Sequence, residues 1–307
     1  MIDLPGLLER TSRTFALSIP RLPEPTRLAV TLAYLLFRLA DTFEDAAVWP
    51  RARRAEALTD LLTLLADPAV APPALAAELG RRWAEGRPTE HDGYLDLVAA
   101  TPDLLDALGG LSPSSRSIVL LHARRTAEGM RGFVERSDER GSLHLATLGD
   151  LRDYCYVVAG IVGEMLTDLF LDDAPSLRAP AVESSLRGGA RSFGEALQLV
   201  NILKDADDDA RDGRAYLPPD TDRAAVLSLA RSDLAAAIRY VLTLQAAGAP
   251  RGFVEFTALP VLLARETLDL LEREGPGAKL PRERVMALAA GLDRRLDAGE
   301  AALEPSS

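Results

Sequence analysis

The sequence contains very little cysteine and few aromatic residues. Its 307 residues include one cysteine, Cys155, which excludes an intramolecular disulfide. With no Cys/His cluster, a structural zinc site is excluded as well. Aromatic residues make up only 5% of the chain. The apolar content is instead mostly leucine, alanine and valine, and because leucine and alanine are strong helix formers, the composition favours helices.

Long apolar runs are also missing. The densest one, Leu28–Phe37, is too short to span a bilayer. The segment Met1–Arg10 lacks the charged and apolar regions of a signal peptide. We therefore expect a soluble, cytoplasmic protein. A peripheral contact with a membrane stays open, because an apolar substrate would favour it, and the sequence does not fix the oligomeric state.

The sequence also lacks an excess of positive charge. The net charge is −11 and the pI about 4.9, with no basic stripe along the chain. Such a surface repels nucleic-acid phosphates, which makes DNA and RNA poor partners. If this chain binds an anionic ligand, it needs metal ions as intermediaries.

Alternating β patterns are absent, whereas helical periodicity recurs between prolines. We predict an all-α fold: one domain over residues 1–307, a bundle of about ten helices around a central cavity. Ser112 is expected to cap a helix that has proline at its first position. Residues 171–183 are predicted to form a polar loop. The main predicted helices are Thr26–Val48, Arg51–Ala66, Pro73–Glu85, Tyr94–Leu108, Pro113–Glu135, Leu148–Phe170, Leu186–Ala210, Asp222–Ala246, Gly252–Arg273 and Arg282–Ala302.

Two of these helices carry the same acidic arrangement. Asp41 and Asp45 are four residues apart and follow an apolar stretch, so they share one helix face, with Arg38 on the same stripe. Asp205 and Asp209 repeat the spacing about 160 residues later. On that second face Asn201 lies four residues before Asp205, and Lys204 is adjacent to it.

A single Asp-x-x-x-Asp is usually a solvated helix face, but two copies beside apolar walls favour a different interpretation. Two carboxylates about 6 Å apart repel by roughly 3 kcal/mol at an effective dielectric near 20. A cation must offset that repulsion, and Mg²⁺ prefers carboxylate oxygens while bridging to phosphates. Magnesium and arginine at such a place would stabilise a leaving diphosphate, and an apolar cavity would shield a carbocation. Serine-hydrolase, Walker A and Gly-x-Gly-x-x-Gly signatures are missing.

At these residues the sequence strongly resembles the squalene/phytoene synthase family of head-to-head isoprenyl diphosphate synthases, in particular its bacterial squalene synthase-like members. The resemblance extends from about Ser12 to Leu288 and falls in five blocks in the family's order. These blocks are Ser12–Phe15, Asp41–Asp45 (the first aspartate motif), Tyr154–Gly163 (the central block), Gln198–Asp209 with Gly213–Pro218 (the second aspartate motif and its trailing loop) and Phe256–Pro260.

The resemblance implies roles for individual residues. Asp41, Asp45, Asp205 and Asp209 would bind the metal, and Tyr154 would act beside the carbocation. Lys204 stands where the family usually has arginine, so it offers a point charge in place of a bidentate fork. The substrate-binding residues implied are Arg13, Phe15, Tyr34, Arg38, Val158, Gln198, Asn201, Lys204, Arg214 and Phe256.

Some of these residues also have ordinary structural interpretations. A tyrosine beside an apolar helix is usually a core residue with one hydrogen bond, and only the surrounding block points Tyr154 to chemistry. Gly160 and Gly163 are expected to permit close helix packing or to leave room for a substrate chain, and Cys155 to be a small packing residue.

The reaction implied is the condensation of two farnesyl diphosphates through a cyclopropyl diphosphate, with Mg²⁺ as cofactor. NADPH would then reduce the intermediate to squalene; proton loss would give dehydrosqualene or phytoene, and water a hydroxylated product. The Asp-Thr-x-Glu-Asp motif resembles squalene synthases, whereas the loop after Asp209 resembles the phytoene branch. Lys279–Arg282 lies near the family's basic NADPH loop, although Pro281 departs from its pattern. Two rivals stay open: another class I terpenoid enzyme, and a non-catalytic lipid-binding or assembly homologue.

Overall fold

A computed structural model describes residues 2–12, 14–66, 73–138, 142–211, 215–219 and 221–304. Within these ranges the protein is all-α, as predicted: no strand is present, and only an isolated bridge joins His144 to Ala215. The chain divides into two compact units, each treated separately below: unit 1 comprises Met1–Ile19 and Glu24–Leu143, and unit 2 comprises Pro20–Pro23 and His144–Ser307. The prediction of a single domain stays a prediction.

The helices of unit 1 pack around α3. Its face from Leu32 to Phe43 is almost fully buried, and α8 packs against both α3 and α4. The ring centroids of Phe43 and Trp83 are 4.7 Å apart. Burying an aromatic side chain of this kind contributes about 1.5–3 kcal/mol to the free energy of unfolding. The helices are α1 (Leu4–Thr11), α2 (Phe15–Ser18), α3 (Thr26–Glu44), α4 (Arg51–Ala66), α5 (Pro73–Glu85), α6 (Asp92–Ala99), α7 (Thr101–Ala107) and α8 (Pro113–Arg136).

Unit 2 is built around its longest helix, α11, which packs against α10, α12 and α13. A π-helical turn, Tyr156–Gly160, interrupts the apolar helical segment before α10. Short 3₁₀ turns cover Ile19–Arg21, Leu108–Gly110 and Pro175–Arg178. The helices of unit 2 are α9 (Leu148–Cys155), α10 (Ile161–Asp173), α11 (Pro180–Arg211), α12 (Arg223–Ala246), α13 (Arg251–Glu274) and α14 (Arg282–Asp297).

Glycines bring the backbone of α11 close to its neighbours. A Cβ built on Gly163 would lie 2.0 Å from the carbonyl oxygen of Ala190, which confirms that Gly163 permits close packing. Gly194, which the sequence did not single out, does the same against Ala159, at 1.9 Å. Larger side chains at these positions would have to push two backbones apart.

Two predicted elements are wrong. The segment Tyr94–Leu108 is not one helix, because Pro102 lacks the N–H that would continue α6, and the chain restarts as α7. The predicted loop over residues 171–183 is too long: α10 continues to Asp173, the 3₁₀ turn covers Pro175–Arg178, and α11 begins at Pro180, so only residues 174–179 connect the two helices. By contrast, Ser112 caps α8 as predicted, accepting from the backbone N–H of Ser115 at 3.0 Å.

Candidate active site

The first aspartate motif lies at the carboxyl end of α3. The preceding turns are buried, whereas the Asp41 side chain is 29% exposed and Asp45 is exposed. Asp45 ends the helix, and its backbone N–H donates to the carbonyl oxygen of Asp41 at 2.8 Å. The pair therefore emerges from an apolar wall at the point where the helix reaches water.

Arg38 connects this acidic pair to two aromatic rings. Its guanidinium forms an ion pair with Asp41 and lies 5.8 Å from the ring centroid of Tyr34 and 5.3 Å from that of Tyr94. Burial works against the charged form, but Asp41 and the two tyrosines outweigh it, so the pKa of Arg38 is raised. Among the described residues its buried Nε has no hydrogen-bond partner. A permanently charged donor with an unused N–H is suited to an anionic ligand.

Phe15 and Tyr34 extend the same group of side chains. Their ring centroids are 5.4 Å apart, and the Tyr34 hydroxyl donates to the carbonyl oxygen of Thr11 at 2.7 Å. Unit 1 thus brings four predicted site residues into one contiguous chain of contacts: Phe15, Tyr34, Arg38 and Asp41. Tyr94 joins them from α6, and burial raises its pKa despite the opposing charge of Arg38. No spacing in the sequence could have indicated Tyr94.

The second aspartate motif lies on the last turns of α11. Lys204 Nζ is 3.1 Å from an Asp205 carboxylate oxygen and donates to Asn201 Oδ1 at 3.3 Å. The Asp205 side chain is 34% exposed, and Asp209 is half-buried. The arrangement repeats that of α3: a partly exposed aspartate follows an apolar stretch and has a cationic side chain beside it. Gln198, one turn earlier, is half-buried.

Both acidic pairs fit magnesium. Mg²⁺ is usually held by one or two carboxylates while substrate phosphates and water complete its shell, so two aspartates on a helix suffice. The half-exposed carboxylates of Asp41 and Asp205 leave room for those further ligands. Across the described ranges no group of three or more His, Cys, Asp or Glu side chains is placed to hold a metal ion by itself.

Tyr154 lies near the end of α9 and is 4% exposed. Its hydroxyl donates to the hydroxyl oxygen of Tyr216 at 3.1 Å, and the two rings stack with centroids 4.8 Å apart. Tyr216 belongs to the trailing loop, where the Leu145 N–H donates to the Ala215 carbonyl at 3.2 Å. The sequence pointed to this loop but not to Tyr216, whose importance depends on a contact across 62 positions.

The remaining predicted residues are placed as follows. Val158 lies on the π-helical turn and is half-buried, and turns of this kind are frequent at functional sites. Phe256 of α13 is buried and meets Phe170 edge to face, with ring centroids 6.4 Å apart. Cys155 is fully buried, which confirms the packing role. Arg13 and Arg214, the other predicted diphosphate contacts, lie outside the described residues.

The fold and these two helices define a class: an all-α protein with paired aspartates at two helix ends. Residues 8–224 match the family model "Squalene/phytoene synthase". The chain therefore belongs to the squalene/phytoene synthase family, which confirms the resemblance found in its motifs.

Relatives agree with this assignment. The squalene synthase of Schizosaccharomyces pombe is 30% identical over 216 residues, which are 69% of this chain and 43% of that protein. The squalene synthase of Eremothecium gossypii is 27% identical over 86% of this chain and 60% of its own length. The chain thus spans between about two fifths and three fifths of these relatives.

Solved structures share the fold. The structure of TcSQS in complex with the ligand E5700 matches with a TM-score of 0.74 at 22% identity, over 94% of this chain and 87% of the other. A dehydrosqualene synthase in complex with a ligand matches with a TM-score of 0.55 at 18% identity, over 96% and 95% of the two chains. At these identities the likeness supports the all-α fold alone.

Proposed function

We propose that this protein is a prenyltransferase that condenses two farnesyl diphosphates head to head, through a cyclopropyl diphosphate, to squalene. The observation that carries the proposal is the arrangement repeated on α3 and α11. On each helix a partly exposed aspartate follows an apolar stretch and lies beside a cationic side chain. Family membership supports the same reaction class.

The metal ligands proposed are Asp41 and Asp45 on α3 and Asp205 and Asp209 on α11. Bound there, magnesium would supply electrostatic stabilisation of the diphosphate leaving group. Arg38 and Lys204 add fixed positive charge, and the unused Nε–H of Arg38 is a donor for a phosphate oxygen. Their carboxylate partners hold both cations in place before substrate arrives.

Tyr154 is proposed to act beside the carbocation. Because its hydroxyl donates a hydrogen bond to the Tyr216 oxygen, the Tyr154 oxygen becomes more electron-rich and better able to stabilise positive charge. Tyr154 is 4% and Tyr216 9% exposed, so this pair of hydroxyls is shielded from bulk water, as a group that acts beside a carbocation should be.

The proposed chemistry has two balanced halves. In the first, one farnesyl diphosphate loses diphosphate, the double bond of the second attacks the allylic carbon, and loss of a proton closes the cyclopropane ring. In the second, the cyclopropyl diphosphate loses its own diphosphate and rearranges. Bound NADPH would supply the hydride that quenches the cation, which would leave squalene and NADP⁺.

The use of NADPH is supported by the loop before α14. Lys279 and Arg282 are exposed cations of the type that binds phosphate groups. The loop is attached to the second aspartate motif, because the Gly277 N–H donates to the Lys204 carbonyl oxygen at 3.2 Å. A cofactor bound at this loop would therefore lie close to Asp205.

The main alternative is a dehydrosqualene or phytoene synthase that ends the second half by proton loss, without NADPH. The resemblance of the trailing loop to the phytoene branch favours it. A non-catalytic lipid-binding homologue is the second alternative, and the presence of all four aspartates argues against it.

A cytoplasmic location with peripheral membrane contact stays part of the proposal. In the described part of the chain, one helical stretch, Leu148–Asp173, is long and apolar enough to cross a membrane by length and composition. Within its most apolar window 61% of the residues are buried inside the protein, which is typical of a core helix.

Product analysis tests the proposed function. Purified protein incubated with farnesyl diphosphate and Mg²⁺ should give a C30 hydrocarbon, identified as squalene by mass spectrometry when NADPH is present. Without NADPH the cyclopropyl intermediate or dehydrosqualene should accumulate. A C30 product unchanged by NADPH would reject squalene formation, and turnover of geranylgeranyl diphosphate alone would indicate phytoene.

A further inference from the structure

A cluster of charged side chains, in which a buried carboxylate meets two partly exposed arginines, lies against the π-helical turn of unit 2. Glu195 of α11 is 1% exposed and accepts hydrogen bonds from two arginines. Arg191 Nε lies 2.6 Å from one carboxylate oxygen, and Arg152 Nη2 of α9 lies 3.3 Å from the other. A buried carboxylate is costly unless it is paired and hydrogen-bonded, so Glu195 and its two partners are held in one arrangement.

Both arginines are connected to the turn. Arg152 precedes Tyr156, the first residue of the turn, by four positions and Tyr154 by two. The Arg191 guanidinium lies over the Tyr156 ring, 4.6 Å from its centroid. The Tyr156 hydroxyl in turn donates to Glu164 of α10 at 3.3 Å. The contacts of Glu195 therefore reach the chain before the turn and at its first residue.

Gly160, the last residue of the turn, packs against the same cluster. A Cβ built on Gly160 would lie 2.7 Å from the Tyr156 ring and 3.4 Å from Cγ of Glu195. Gly194, next to Glu195, lets α11 approach the carbonyl oxygen of Ala159. The turn and this part of α11 thus have matching surfaces.

A second carboxylate shares the arginines. Asp233 of α12 is 5% exposed, and within the described residues its Oδ2 has no hydrogen-bond partner. Burial raises the pKa of Asp233, and the charges of Arg152 and Arg191 oppose that rise. Glu195 and Asp233 therefore lie beside the same two arginines, and removing the Glu195 carboxylate leaves Asp233 as the buried carboxylate near them.

We propose that Glu195 is a positioning residue: through Arg152 and Arg191 it fixes the π-helical turn, and with it Tyr154 before the turn and Val158 within it. Its effect on turnover rests on the proposed function, whereas its effect on the turn does not. A residue that only stabilised the fold would change the exchange of unit 2 as a whole.

The test is Glu195→Gln, which keeps the side-chain volume and removes the charge. Hydrogen exchange of the substrate-free chain, followed by mass spectrometry, should show amides of residues 156–162 exchanging about tenfold faster, with α12 and α13 unchanged. In turnover of farnesyl diphosphate with Mg²⁺, kcat should fall about tenfold and KM should stay within twofold. The matched control is Glu183→Gln, which breaks an exposed pair with Arg187 on the same helix and should change neither quantity.

The outcomes separate this inference from the proposed function. Unchanged exchange at the turn in Glu195→Gln overturns the positioning role whether or not the chain is active. Faster exchange with unchanged kcat in an active chain overturns the connection to Tyr154. If the wild-type chain shows no turnover, the proposed function is rejected. The hydrogen-exchange result then decides the positioning role of Glu195 by itself. If Glu195→Gln does not fold, Arg191→Lys keeps the charge but loses the flat stack on Tyr156, and it should change exchange and kcat in the same directions by about threefold.

Discussion

Asp41→Asn is expected to lower kcat by roughly 10³-fold, because the substitution removes a metal ligand and a charge while keeping the side-chain volume. The fold should survive: losing the ion pair with Arg38 should lower the free energy of unfolding by about 1–3 kcal/mol, less than the roughly 5–15 kcal/mol that stabilises a typical protein. Steady-state turnover of farnesyl diphosphate and thermal unfolding of the same preparation measure both effects.

A matched control for Asp41→Asn is Asp96→Asn. Asp96 also forms an ion pair with an arginine of unit 1, Arg10, at 3.1 Å, but it belongs to no acidic motif. Its replacement should leave kcat unchanged. If Asp41→Asn turned over like the wild type, the metal assignment on α3 would be wrong.

Tyr154→Phe is expected to lower kcat about 10²-fold with little change in KM, because only the hydroxyl beside the proposed carbocation is lost. Tyr216→Phe should cause a smaller loss in the same direction, since Tyr154 would keep its hydroxyl but lose its acceptor. Rapid-quench measurement of cyclopropyl diphosphate formation would show whether the first half-reaction is the slowed step.

Removing a buried hydroxyl also destabilises the fold, by about 1 kcal/mol, and a control must separate this effect from catalysis. Tyr240→Phe supplies it: Tyr240 is 2% exposed and hydrogen-bonds Thr167 at 2.8 Å in the same unit. Both variants should lose similar stability, and only Tyr154→Phe should lose turnover. Equal kinetics in the two variants would remove Tyr154 from the mechanism.

Helices bounded by local signals could be predicted from the sequence. Arg51–Ala66 and Pro73–Glu85 begin and end as predicted, because proline sets a helix start through its fixed backbone angle and missing N–H. The same rule, applied to Pro180, would have placed the start of α11 correctly. The polar residues before it, such as Asp172 and Asp173, led to the prediction of a loop over the whole stretch.

The π-helical turn could not be predicted. Its sequence, Tyr156–Gly160, is apolar with a terminal glycine, and one turn of a different period does not alter a helical pattern. In the structure the turn packs closely against α11 at Gly194 and lies beside the charged side chains around Glu195. These contacts join residues that are far apart in the sequence.

At each aspartate motif, contacts between residues of the same helix could be predicted from the sequence. Arg38 with Asp41, and Lys204 with Asp205, are neighbours because helical geometry places them so. Tyr94 meets Arg38 within unit 1 and Tyr216 meets Tyr154 within unit 2, each through a contact across many positions, and no local spacing encodes such contacts.

Calorimetric titration with inorganic pyrophosphate tests the central claim most directly, namely that both aspartate pairs bind pyrophosphate through magnesium. The wild-type chain should bind pyrophosphate only when Mg²⁺ is present, and either Asp41→Asn or Asp205→Asn alone should weaken that binding at least tenfold. Asp207→Asn, an exposed neighbour on α11, should leave it unchanged. Equal binding with and without Mg²⁺, or binding that neither Asp41→Asn nor Asp205→Asn weakens, would contradict the account.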